Sequence, residues 1–208
     1  MGNGNATRTQ SKATNLGLHG VARWPLTDTL KLIMGVRSSS YKVENAVTGR
    51  TAPRESGEIT PYAGLVFDLN AQYSAYASYS DIFNPQTNRS IDGSVLAPVV
   101  GANDEVGVKG ELLDKRLNVS AAIFRLEQSN LSVRDDSIPN DPGNACGGAC
   151  YTAAGEVVSQ GVDLGVNGKV GANLNLAACY TYVDAEYKAG PQQSQRFNRS
   201  FKLTQSYP

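Results

Sequence analysis

Residues 58–82 read EITPYAGLVFDLNAQYSAYASYSDI, and this stretch decides the fold. Apolar and polar residues alternate from Glu58 to Leu69, a short break follows at Asn70-Ala71, and the alternation then runs from Ala71 to Ile82. A period of two places successive side chains on opposite faces of an extended chain, which is the pattern of a β-strand. The stretch therefore predicts two long antiparallel strands joined by a tight turn.

The same alternation recurs along the whole chain and predicts nine strands and no helix. Very short connectors alternate with long polar ones, which are predicted at about 44–57, 83–101, 129–154 and 188–198. The predicted strands are Thr14–Leu26, Thr29–Val43, Glu58–Leu69, Ala71–Ile82, Asn103–Leu113, Leu117–Gln128, Glu156–Lys169, Ala172–Glu186 and Arg199–Tyr207.

This arrangement places every short turn at one end of the sheet and every long loop at the other. A soluble sandwich has no reason to sort its connectors in this way, whereas an outer-membrane barrel has short periplasmic turns and long external loops. The strands are also longer than the ~5–6 residues usual in soluble sheets. We therefore predict an all-β chain that forms part of an antiparallel transmembrane β-barrel.

The two faces of the predicted strands support a membrane location. One face is apolar and suited to lipid, while the other carries the polar and small residues expected of a watery lumen. Aromatic residues are predicted near strand ends on the apolar face, as in interfacial girdles, and cross-strand packing in a soluble sheet is the less favoured alternative. They are Trp24, Phe67, Tyr73, Tyr79, Tyr180, Tyr182, Phe201 and Tyr207.

Bulk composition excludes several classes of protein. The 208 residues carry 19 basic and 19 acidic side chains, which argues against a nucleic-acid partner. No apolar run approaches the ~20 residues of a membrane-spanning helix. Residues 1–5 do not begin a recognisable signal peptide. This is compatible with a cytosolic protein, but we prefer the interpretation that the sequence starts inside a longer parent sequence.

Four segments of the chain resemble TonB-dependent ferric-siderophore receptors of the hydroxamate, coprogen and pyoverdine group. The most specific is YASYSDIFNPQ, residues 76–86, and the other three follow in family order across most of the chain. They are TPYAGLVFDL (60–69), EVGVKGEL with LNVSAAIFR (105–112 and 117–125), and GVDLGV (161–166).

The resemblance implies import of a ferric siderophore, with iron arriving chelated and no resident cofactor or protein–metal bond. Family members have an N-terminal plug, a segment that contacts TonB, and a barrel of about 22 strands. We expect residues 1–208 to be a partial barrel domain that lacks the plug and the final strands, since nine antiparallel strands cannot close a barrel. Expected partners are the ferric siderophore, outer-membrane lipid, and the TonB complex through the absent N-terminal region.

Three cysteines are present, and two of them lie in the longest predicted loop. Cys146 and Cys150 flank three small residues and predict a disulfide in an external, oxidising environment. A zinc site would need further ligands that the sequence does not place nearby, since His19 is the only histidine. Cys179 falls in phase with the lumen-facing residues of its strand and is expected to be a small thiol packed against the plug.

Candidate ligand contacts lie in the external loops. Arg134 and Tyr151 suit the oxygen-rich, often anionic edge of a ferric siderophore, and Phe83 and Asn84 begin another loop. Asp135-Asp136 lacks the spacing of a calcium loop and is expected to be solvated.

No catalytic triad or phosphate-binding loop is present, so the chain is not expected to be an enzyme. A passive porin-like channel and a soluble β-rich binding module are the alternative functions.

Overall fold

The computed structural model describes residues 11–45, 55–171, 174–190 and 193–207, with side chains for 14–42, 57–171, 174–190 and 193–196. These residues form one nine-stranded sheet in which every strand pairs antiparallel with its neighbours in the sequence. The predicted all-β antiparallel fold is therefore confirmed. The strands are β1 (Ser11–Pro25), β2 (Leu30–Asn45), β3 (Glu55–Asp68), β4 (Tyr73–Asn84), β5 (Val99–Leu112), β6 (Leu117–Arg134), β7 (Tyr151–Val170), β8 (Leu174–Ala189) and β9 (Arg196–Tyr207).

Tight turns lie at one end of the sheet, which we call the turn end. Short side chains close two of them: Asn70 Oδ1 accepts from the Tyr73 amide at 2.9 Å, and Thr27 Oγ1 accepts from the Leu30 amide at 2.9 Å. The turn between β5 and β6 instead uses three successive residues with positive φ, Leu113, Asp114 and Lys115. The opposite end, the loop end, carries the connectors 85–98 and 135–150.

The predicted strands end too early at the loop end, because β-bulges interrupt the alternation there. Each bulge adds one or more residues to one strand, so the apolar phase is lost while backbone pairing continues. Gly57, with φ of 81°, lies at the bulge between β2 and β3, and Asn130, with φ of 63°, lies at the bulge between β6 and β7. A third shift lies between β7 and β8 at Glu156/Val157. The connector predicted at 129–154 is consequently shorter. The connector predicted at 83–101 is shorter as well, but there β4 and β5 simply continue in one unbroken register to Asn84 and Val99.

The two faces of the sheet have opposite character over its central rows. The apolar face presents large side chains to the surroundings, among them Leu18 at 74% exposure and Ile123 at 61%. Within the described side chains, the buried apolar residues are only Leu96, Val99, Ala122 and Cys150. A sheet with so little core and so much exposed apolar surface is suited to lipid and unsuited to water.

A row of polar residues marks one limit of the apolar face. Asp104, Arg125, Gln160 and Asp184 are consecutive cross-strand partners on β5 to β8. Two residues nearer the turn end, the matching row is apolar: Val106, Ile123, Val162 and Tyr182. The change occurs within one repeat of the strand, so the apolar surface of β5 to β8 ends at this row.

Six of the predicted aromatic positions are confirmed on the apolar face. Trp24 pairs with Leu32 and Tyr180 with Leu164, and Phe67, Tyr73, Tyr79 and Tyr182 share that face. The predictions for Phe201 and Tyr207 fall outside the side chains that the structure describes.

No helix among the described residues has the length and hydropathy needed to cross a membrane.

Candidate functional site at the loop end

The connectors 85–98 and 135–150 fold against each other into a single structured element, which we call the two-loop unit. The Tyr151 amide donates to the Arg89 carbonyl at 2.9 Å, and Asn88 Nδ2 donates to Ser132 Oγ at 2.8 Å. A Cβ atom added at Gly93 would lie 3.1 Å from the Ala145 carbonyl oxygen, so the two connectors are in close contact there. The first connector is thus attached to the β6–β7 hairpin rather than extended into solvent.

The bulge in β6 provides the anchor for this attachment. Gln86 Nε2 donates to the Asn130 carbonyl at 2.7 Å and also to the Ala97 carbonyl. Asn130 Nδ2 in turn donates to the Pro98 carbonyl at 3.1 Å. An asparagine tolerates the left-handed backbone that the bulge requires, and its amide satisfies a carbonyl of the neighbouring connector.

A disulfide joins Cys146 and Cys150 in the structure, with an Sγ–Sγ distance of 1.98 Å and a Cα–Cα distance of 5.4 Å. Cys150 is 1% exposed, and its carbonyl accepts from the Asp135 amide at 2.9 Å. Cys146 Sγ lies 3.1 Å from the Ser90 carbonyl oxygen. A disulfide sulphur has no hydrogen to donate, so this is a packing contact, and it places the disulfide at the junction of the two connectors.

The Ser90–Ser94 segment of the first connector is organised around a carboxylate. Asp92 accepts from the Ser90 hydroxyl and from the amide and hydroxyl of Ser94. These hydrogen bonds favour the ionised form and lower the pKa of Asp92 to about 2. The segment is therefore a turn that carries a negative charge at neutral pH.

Two of the predicted ligand contacts lie together, although not within a loop as predicted. Arg134 is the last residue of β6 and Tyr151 the first of β7, and they are cross-strand partners. Arg134 Nε forms an ion pair with Asp136 Oδ1 at 3.0 Å, in which both side chains are largely exposed. No cluster of metal-ligating side chains occurs in the described parts of the chain.

The other two predicted contacts end a strand rather than begin a loop. Phe83 and Asn84 are the last residues of β4, opposite Val100 and Val99. Because successive strand residues face opposite sides, Asn84 shares the polar face and Phe83 the apolar face. Phe83 and Asn84 nevertheless both line one cavity, and both lie on a different strand from Arg134 and Tyr151.

The polar face also carries a group of charged and aromatic residues that the sequence did not predict as a site. The Tyr76 hydroxyl donates to Glu105, and Lys109 Nζ lies 4.4 Å from the centre of the Tyr76 ring. On β2, Arg37 stands opposite His19 of β1 and Thr60 of β3. All of these residues occupy polar positions in the alternating pattern of their strands. The pattern predicts which face of the sheet a residue occupies, but it does not predict which residues of other strands lie beside it.

Cys179 lies on the polar face, as its phase predicts, opposite Gly165, which itself faces Ser120. Its side chain is exposed within the described residues. Its expected packing against a plug stays a prediction.

A family model described as "TonB dependent receptor-like, beta-barrel" matches residues 1–205. The chain is 39% identical over 82% of its length to a ferric-pyoverdine receptor, PbuA, of Pseudomonas sp. strain M114. It is 31% identical over 81% of its length to a ferrioxamine B receptor of Salmonella typhimurium. The crystal structure of the outer-membrane ferripyoverdine receptor of Pseudomonas aeruginosa matches 93% of the chain with a TM-score of 0.72 and 33% identity.

The chain spans only part of each of these proteins, namely 21% of the first, 23% of the second and 26% of the third. The likeness thus concerns a portion of the barrel wall and its loops.

Proposed function

Because the chain belongs to the TonB-dependent receptor β-barrel family, we propose that it forms part of a receptor that binds a ferric siderophore and imports it in a TonB-dependent manner. The family's barrels reside in the bacterial outer membrane, and the nine strands are wall strands of such a barrel. The family is one of transport receptors rather than enzymes. The iron is cargo, which reaches the protein already chelated.

The observation that carries this proposal is the family match across residues 1–205, with relatives whose names specify ferric-siderophore ligands. The arrangement of the described residues supports it. The apolar face suits lipid, the polar face suits a filled or watery lumen, and the two-loop unit stands at the end where external ligand would arrive. A TonB contact would lie in a region N-terminal to this chain.

The ordered two-loop unit favours a binding receptor over a passive channel. Hydrogen bonds fix the first connector to β6, and a disulfide closes the second connector, an order that would reduce the entropy lost on binding a ligand. A passive channel gains nothing from this arrangement. The contact roles of Arg134, Tyr151, Phe83 and Asn84 remain proposals within this function, and the register favours Asn84 over Phe83.

The test is iron uptake by cells that depend on the full-length receptor containing this chain. Cells grown without free iron should take up iron from ferric pyoverdine or ferrioxamine B, and uptake should cease when the proton gradient is dissipated or TonB is deleted. Deletion of residues 85–98 should abolish uptake while the protein still reaches the outer membrane. Uptake that persists without the proton gradient would instead establish a passive channel, and recovery of the protein in buffer without detergent would establish a soluble module.

A further inference from the structure

A polar cavity opens on the lumen side of β1 to β4, close to the start of the first connector. Its volume is about 390 Å³, and its lining includes Asn15, Arg37, Ser39, Thr60 and Asn84. These five residues belong to the polar phase of their strands, as the cross-strand pairs Arg37–Thr60 and Ser39–Gly17 indicate. The cavity therefore faces the space through which a transported ligand would pass.

Arg37 is the one basic residue among the residues lining this cavity, and its charge is available. None of the ion pairs formed within the described part of the chain includes Arg37. Asp81 also lines the cavity, where its carboxylate accepts a hydrogen bond from the Tyr79 hydroxyl at 2.5 Å and forms no ion pair with Arg37. The cavity thus offers a guanidinium that no carboxylate of the described residues pairs with.

The strand opposite Arg37 is shaped to accommodate its side chain. A Cβ atom at Gly17 would lie 3.2 Å from Arg37 Nε and 3.3 Å from Nη2, so the guanidinium extends across the glycine. Any larger residue at position 17 would have to displace it. Ser39, which pairs with Gly17, is a buried polar residue beside it. The guanidinium therefore lies against the wall at Gly17, and Arg37 also lines the cavity.

A guanidinium held in this way matches a carboxylate, since its donors can form two parallel hydrogen bonds with the two carboxylate oxygens. The neighbouring amides and hydroxyls of Asn15, Asn84 and Thr60 can serve the polar atoms around that carboxylate. We propose that Arg37 is a specificity-determining residue that binds a free carboxylate on a ferric hydroxamate-type ligand. This inference rests on the proposed function and names the chemistry of its ligand.

The experiment uses the full-length receptor in detergent and two derivatives of ferric ferrioxamine B, the ligand in the name of one relative. Its terminal amine is acetylated in one probe, which is neutral, and succinylated in the other, which adds one carboxylate. Dissociation constants are measured by quenching of protein fluorescence. The wild type should bind the succinylated probe about tenfold or more tightly than the acetylated probe, the effect of a charge-assisted hydrogen bond.

Three variants separate binding from structure. Arg37→Gln should bind both probes equally, at the affinity of the acetylated probe, and Arg37→Lys should retain part of the preference. Arg23→Gln, a basic residue of the same face nearer the turn end, should behave as the wild type. Equal affinity of the wild type for the two probes, or failure to bind either, would overturn the inference. So would an equal loss of both affinities in Arg37→Gln, since it would assign Arg37 a structural role.

The uptake assay decides the proposed function independently. A receptor that imports ferric siderophore but shows no carboxylate preference retains that function and loses only this inference.

Discussion

At the scale of single residues, glycines opposite aromatic rings shape the wall of this sheet. Tyr62 lies over Gly35, Tyr76 over Gly107, Tyr73 over Gly110 and Phe124 over Gly161, and each is a direct cross-strand pair. A ring that lies over a glycine covers backbone that would otherwise be bare. These glycines therefore cannot be read as flexible positions.

Gly161→Ala should destabilise the barrel. The new Cβ would lie 2.0 Å from the Tyr182 carbonyl oxygen and 2.7 Å from the Phe124 ring. The first of these atoms belongs to the backbone of a paired strand, so relieving the clash would require a shift of that strand. We expect a loss of about 1–3 kcal/mol, as for overpacked positions, measured by urea unfolding of the full-length receptor. Gly20→Ala is the control, because nothing lies within 4 Å of its added Cβ. Equal unfolding midpoints for the two variants would contradict this account.

The Asp92 turn should depend on pH only under strongly acidic conditions. The folded-state pKa of Asp92 is about 2, which lies below the ordinary value of 3.8. The contribution of Asp92 to stability is therefore complete above pH 3.8 and is lost as the pH falls from there toward 2. A spin label at Ile91→Cys, in a Cys179→Ser background, should show constant mobility from pH 8 to pH 5 and greater mobility below pH 4. With Asp92→Asn the label should be mobile at every pH. A transition near neutral pH would contradict the assignment.

At the scale of elements, the two-loop unit should open as one body. The Cys146–Cys150 disulfide contacts Ser90 of the other connector, so its loss should loosen residues that it does not enclose. In the Cys146→Ser/Cys150→Ser variant, amide hydrogen exchange should quicken about tenfold in both 85–98 and 135–150, while the strands keep their protection. Asn88→Ala, which removes the hydrogen bond to Ser132, should give the same pattern in a milder form.

Ser137→Ala provides a control for the two-loop unit, because the Ser137 hydroxyl bonds only within its own connector, to Asp135. It should leave the exchange of 85–98 unchanged. Faster exchange confined to 135–150 in the double cysteine variant would show that the disulfide acts locally and that the connectors are independent.

The sequence predicts the elements well and their junctions poorly, for a physical reason. Period-two alternation identifies a strand wherever each residue keeps its face, so nine strands and their order were predicted correctly. The predicted ends at Glu58, Gln128 and Glu186 all fall beside bulges, where alternation stops and pairing does not. The two-loop unit was not predictable, since contacts such as Gln86–Asn130 join residues with no shared pattern.

At the scale of the whole molecule, the apolar face has a defined height. From the turn end, rows of apolar residues continue to Val106 and Ile123, and the next row carries Asp104 and Arg125. The charged row can be tolerated only where headgroups and water are present, because burial of a charge in lipid is costly. On β5 to β8, the apolar surface suited to lipid therefore ends at this row.

This boundary predicts different losses of stability for an arginine introduced at two positions along β7. Leu164 lies on the apolar face between Ala121 and Tyr180, four residues from Gln160 of the charged row. Leu164→Arg should destabilise the full-length receptor by about 2–4 kcal/mol in lipid vesicles, the cost of an arginine deep in a barrel's lipid face, whereas Gln160→Arg should cost about 0–1 kcal/mol. The measurement is urea unfolding from vesicles, with the same pair repeated in detergent to check that packing is not responsible. A similar cost at both positions would mean that the charged row also lies in lipid, and a negligible cost at both would mean that this face of the sheet does not contact lipid.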